Sequence, residues 1–179
     1  PICLPAFHLP ARGVFIFRHR VKHLDDDEVE ELYKYSVRTK IFEHQRTHWH
    51  LTRKGLRFGP SIGLLLFSRS AGLCGELRKL KGAADPWSNH DPASIRFKYR
   101  NLSKILALVH TPDDTVSMLR ELALYFHFDE ALALLDNVRS LEAGREFRAV
   151  APRQVVDSLC RTTPHASPLE GLYPVKCRI

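Results

Sequence analysis

Hydrophobic positions along this chain repeat in two rhythms, and the switches between them mark its elements. From Val14 to His23 (VFIFRHRVKH) apolar and polar side chains alternate after the turn at Gly13, which predicts a β-strand. Leu24–Tyr35 opens on Asp25, Asp26 and Asp27, anions suited to the positive end of a helix dipole. It then sets Val29, Leu32 and Tyr33 on one face, which predicts a helix. The longest apolar run, Ile62–Phe67, predicts a second, buried strand over Ile62–Ser68. Ala71–Lys81 reads as a helix with Leu73, Leu77 and Leu80 inward. Gly82–Asn101 is a long loop with two prolines and a short helical turn around Ala93–Arg96. Lys104–His110 predicts a third strand, and Thr115–Phe126 a helix capped by Asp113 or Asp114. Asp129–Leu141 and Pro152–Cys160 complete the helices. Three prolines bar a helix from the first ten residues, and the tail from Thr162 is expected to lie extended.

Strands alternating with helices predict an α+β sandwich with one helical layer on a small sheet. The chain divides into an extended segment over 1–12, a domain over 13–128 with a basic insertion at 38–58, and a C-terminal extension over 129–179. Its 179 residues suffice for one domain with a sizeable core, and 44% hydrophobic content argues against disorder. No apolar run approaches the roughly 20 residues of a membrane-spanning helix, so no membrane insertion is expected.

Charge changes the picture most. A net charge of +7 points to an acidic partner: nucleic acid, a nucleotide, an anionic membrane or an acidic protein surface. Within Arg38–Phe58, Arg38, Lys40, Arg46, Arg53, Lys54 and Arg57 face Glu43 as the one acid, with Trp49 among them. This segment reads as a basic loop that contacts phosphate backbone or an acidic protein, set against the plain alternative of a solvated face. His44, His48 and His50 lack carboxylate or thiolate company, and no metal or cofactor is expected. Cys3, Cys74, Cys160 and Cys177 are scattered, which fits a reducing compartment.

The stretch Pro92–Phe126 (PASIRFKYRNLSKILALVHTPDDTVSMLRELALYF) carries the candidate chemistry. A histidine, His110, ends an apolar run, and a turn and an amphipathic helix bearing Arg120 and Glu121 follow. The order resembles the nucleoside diphosphate kinase family. GVFIFRHRVKHLDDDEVEELY is similar to the family's second strand and its L-x-x-E-x-A-E-x-x-Y helix, with Tyr33 at the tyrosine. FGPSIGLLLFSRSAGLCGELRKLKGAADP is similar to its S-G-P strand, next helix and G-x-T-x-P turn, and HDPASIRFKY to P-x-S-I-R-x-x-F. The resemblance covers roughly Gly13–Phe126. It implies a ferredoxin-like sandwich of the nucleoside diphosphate kinase type lacking the usual first strand.

The resemblance also implies roles. His110 falls on the phosphorylated histidine and Glu121 on the glutamate that orients it. Arg96 and Arg78 fall on phosphate-binding arginines, and Trp49 or a neighbour on the aromatic that stacks on the base. The departures are as informative. The K-P-D-G lysine has no counterpart, Ala84 replaces the turn threonine, Ala107 an asparagine, and Pro112 the serine beside the histidine. Such polar groups act together on one phosphoryl transfer, and each is worth roughly 10²–10³ in rate.

The expected function is therefore a non-catalytic structural subunit of a large assembly, with RNA or protein neighbours. The start at Pro1 and the basic charge make a mitochondrial ribosome the first expectation. The alternatives are an active or weakly active phosphotransferase using His110, and a subunit on an axonemal microtubule. The edge left by a missing first strand is expected to be filled by the tail Leu172–Ile179 or by a partner rather than by Pro1–Phe7.

Overall fold

Two strands pair antiparallel, β1 (Val14–Lys22) with β2 (Ser61–Ser68), from Val14 opposite Ser68 to Lys22 opposite Ser61. The register slips between Ile16 and Arg18, so Phe17 is an extra residue in β1, a bulge. This computed structural model describes residues 13–40, 43–57, 59–85, 87–99, 109–142 and 148–162. Among them the helices are α1 (Asp26–Lys40), α2 (Glu43–Arg57), α3 (Leu73–Lys81), α4 (Ile95–Lys98), α5 (Thr115–Tyr125), α6 (Phe128–Glu142) and α7 (Pro152–Thr162). The α+β class and both strands match the sequence reading. Of the third strand, residues through 108 lie outside the described ones, while Val109 and His110 carry no strand. The expectations for 1–12 and for the tail from 163 also lie outside the described residues.

The sheet has helices on both faces rather than the single layer expected. Adjacent residues of a strand point to opposite faces, and β2 is apolar at consecutive positions, so both faces must be covered. Leu65 and Phe67 join Phe17, Leu122, Phe126, Ala131, Leu134 and Leu141 in the α5/α6 core. Leu66, with Val14, packs against Leu73, Leu80, Ile95 and Tyr99 of the α3/α4 region. A third cluster holds α1 to α2 and to the end of α5, through Leu24, Val29, Leu32, Tyr33, Trp49, Leu56 and Leu124. Gly63 lies against the Tyr125 ring with no room for a Cβ.

The basic segment 38–58 is not a loop. Its first residues extend α1 to Lys40, past the end expected at Tyr35, and most of the rest is α2. Local capping fixes the helix starts. The Asp25 carboxylate accepts from Glu28 N at 2.8 Å while Glu28 accepts from Asp25 N at 3.1 Å, a capping box. Asp114, the second of the two expected caps, accepts from Ser117 N at 2.7 Å and starts α5. α7 lies on β1: Val155 is fully buried, Val150 N donates to Ile16 O at 2.8 Å, and His19 bonds Ser158 Oγ at 2.8 Å.

Candidate functional site

Asp114 sets where α5 begins, and that start puts Glu121 two turns along, back beside His110. His110 Nε2 lies 3.0 Å from Glu121 Oε2, with the histidine side chain 31% exposed and the glutamate 12%. With the carboxylate accepting at Nε2–H, the neutral form of the imidazole carries its lone pair at Nδ1, where a nucleophile needs it. The other Glu121 oxygen is 3.5 Å from Arg120. Arg120 in turn donates to the Glu31 and Leu32 carbonyls of α1 and pairs with the Glu31 carboxylate. The charges thus tie α1 to α5 directly behind the histidine. The Lys34 bond to Glu31, with Arg120 nearby, holds that carboxyl below its ordinary range.

Tyr33 of α1 packs its ring on His110, centroids 5.3 Å apart at 59°. Burial pushes the Tyr33 hydroxyl up to about 12, so it remains a neutral phenol. Sequence reasoning placed Tyr33 in the core; the structure makes it both a core residue and a wall of the site.

Arg96 arrives beside His110 by a separate route. Gly82 ends α3 at φ +80°, a conformation that favours glycine, and a Cβ there would come within 2.5 Å of Ser94 Oγ. Ser94 is buried, bonds Asn89 Oδ1 at 3.1 Å, and caps α4, whose second residue is Arg96. The Arg96 guanidinium donates to Gly82 O at 3.0 Å and Val109 O at 2.9 Å, with the residue only 8% exposed. Its Nε and the Thr111 hydroxyl are buried with no hydrogen-bond partner among the described residues.

Arg78 is exposed on α3, away from such packing. Lys81, one turn further and directly before Gly82, is a cation that sequence reading missed. Burial, then the charge of Arg96, lowers its affinity for a proton. Its i, i+3 spacing from Arg78 was the available signal.

Two cations of the basic segment meet acids of the neighbouring helix. Arg53 bonds Asp26 at 2.6 Å and Glu30 at 2.5 Å, and Arg57 bonds Asp26 at 2.7 Å. Arg53 and Arg57 therefore answer acids of α1, and Trp49 packs on Tyr33 at 5.6 Å. Lys54 is exposed, while the side chains of Arg38, Lys40 and Arg46 lie outside the described residues. Among the described residues no three His, Cys, Asp or Glu side chains converge as a metal site would need, and no helix is long and apolar enough to cross a membrane. A cleft of about 500 Å³ near Arg20, Lys22, Glu28 and Tyr125 includes none of the candidate residues.

Residues 8–131 fit the family model described as nucleoside diphosphate kinase. No curated protein matches the chain.

Proposed function

Because the chain belongs to the nucleoside diphosphate kinase family, we propose that it keeps the family's histidine and carboxylate but has given up efficient phosphoryl turnover, and serves as a structural subunit. The observation that carries this reading is Arg96. Its guanidinium is buried and spends two of its five donors as a strut between two backbone carbonyls, so it offers a transferring phosphoryl group less than a free arginine would. Alanines at 84 and 107 and proline at 112 bring no side-chain hydroxyl or amide donor. Phosphoryl transfer depends on positioning and on charge stabilisation at the phosphoryl oxygens, so losing several donors at roughly 10²–10³ each suppresses turnover. The test is incubation with labelled nucleoside triphosphate and an unlabelled diphosphate. Rapid appearance of labelled triphosphate from the diphosphate would overturn this reading.

A second reading has its own support, the 3.0 Å His110–Glu121 pair. With Nε2–H held by the carboxylate, Nδ1 can attack a terminal phosphorus; an N–P bond forms as the P–O bond to the departing diphosphate breaks. On this reading the chain makes a phosphohistidine slowly without efficient onward transfer. Acid-labile label on His110 that vanishes in His110→Gln supports it, and its absence in the wild type sinks it.

For the setting, we propose an assembly with an acidic surface, first a mitochondrial ribosome whose RNA or proteins meet this chain. The net charge of +7 supports this, as do exposed cations such as Lys54, Arg148, Arg153 and Arg161. Mass spectrometry and RNA analysis of the natively purified complex decide it; tubulin in place of ribosomal components would favour the microtubule alternative.

A further inference from the structure

A chain of ring contacts runs from α2 through α1 to the histidine. Trp49 meets Tyr33 at 5.6 Å and 55°, and Tyr33 meets His110 at 5.3 Å and 59°. Both are tilted arrangements within the range that aromatic rings favour. Trp49 and Tyr33 belong to one apolar cluster with Leu24, Val29 and Leu32, so neither contact is a loose surface encounter.

The imidazole needs two restraints to aim Nδ1. The bond from Nε2 to Glu121 fixes one end of the ring but leaves it free to tilt about the Nε2···Oε2 line. A ring packed against the imidazole removes that freedom, and Tyr33 is that ring. Tyr33 can do so only if its own side chain is kept from swinging, and the large neighbour against it is Trp49. The charged and titratable groups around the histidine are Glu121 and Arg120 on α5, the Arg96 guanidinium of α4 at the Val109 carbonyl, and the Tyr33 hydroxyl on α1.

We propose that Trp49 is a positioning residue for His110, acting through Tyr33. The proposal rests on the second reading above, in which His110 Nδ1 receives a phosphoryl group and its direction matters. It gives α2 a part in the site that differs from contact with an acidic partner. A tryptophan that merely filled the core would affect stability when replaced, but not the environment of the imidazole.

The test uses full-length, histidine-labelled protein and the Cε1–H resonance of His110, assigned by its loss in His110→Gln. Tyr33→Leu removes the ring current on that proton and sets the displaced position. Trp49→Ala is expected to move the resonance toward the Tyr33→Leu position, and Trp49→Phe to return it. A resonance unmoved in folded Trp49→Ala overturns the proposal. Should Trp49→Ala fail to fold, Trp49 emission in a Trp87→Phe background decides: it is expected to change on His110→Gln, and identical emission overturns the proposal. The same wild-type protein is treated with phosphoramidate, a phosphoryl donor. Failure to label His110, with the resonance shift intact, defeats the phosphoryl reading and leaves the positioning role standing. Where labelling occurs, Trp49→Ala is expected to slow it roughly tenfold, since small misplacements of a reacting group are costly.

Discussion

At the scale of single residues, Arg96 behaves as a strut between two backbones. Replacing it by methionine leaves Gly82 O and Val109 O without their donor, and buried unsatisfied carbonyls are costly. We expect Arg96→Met to lose about 2–4 kcal/mol in urea unfolding. Arg96→Lys should restore little of this, because an ammonium lacks the forked geometry. Wild-type stability in Arg96→Met would show that the two carbonyl bonds contribute nothing. His19 gives a residue-level dependence on pH. Burial first, then the Arg161 charge, lowers its affinity for a proton in the folded state. The unfolded chain, titrating near 6.5, binds the proton more readily, so folding loses stability as pH falls through 6.5 toward the lower folded midpoint. Above 6.5 both states are neutral at this site and the effect is absent. Melting temperatures of wild type and His19→Gln should therefore change relative to each other between about pH 7 and 5, in the direction that favours the variant at acid pH. The pairing of His110 with Glu121 was legible through the family resemblance, which implied both roles, and the turn and two helical turns between them bring the side chains together. The task of Arg96 was not, since sequence names a cation but not the carbonyls it meets.

At the scale of elements, α2 is the instructive case. Among its described side chains the inward ones are Trp49, Thr52 and Leu56, in a segment dense with charge, so its overall polarity rather than any want of periodicity made it read as a loop. Its Arg53 and Arg57 are answered by acids of α1, and that pairing cannot be read from either segment alone. Arg53 holds the Asp26 carboxyl below its ordinary range, so the pair favours folding above the usual Asp midpoint and loses its effect as pH drops through the folded one. Asp26→Asn is expected to speed amide exchange along α2 at low salt, with the difference shrinking at high salt. An exchange difference that persists undiminished in 1 M salt would mean that packing, not charge, holds the hairpin. The less polar elements β1, β2, α3 and α5 appear within a few residues of their expected bounds.

At the scale of the whole molecule, the sheet is a shared wall. Consecutive apolar residues in β2 serve two cores, and α7 adds cover on β1 through a fully buried Val155. Val155→Ala should cost about 2 kcal/mol, read by chemical unfolding, and a change under 0.5 kcal/mol would place α7 outside the cooperative unit. The two-faced sheet was implicit in the unbroken run Ile62–Phe67; which helices cover which face depends on contacts far apart in sequence.

The fit of Gly63 under Tyr125 also constrains how this protein can change over generations. A methyl group at 63 collides with the ring, while a smaller side chain at 125 merely loses contacts. Two substitutions that are compatible together are thus reachable in one order and blocked in the other. Shrinking position 125 first opens a passable route, whereas Gly63→Ala first passes through a poorly folded intermediate. The two positions drift as a coupled pair, and a double-mutant cycle between Gly63→Ala and Tyr125→Ala should give a favourable coupling of roughly 1–3 kcal/mol.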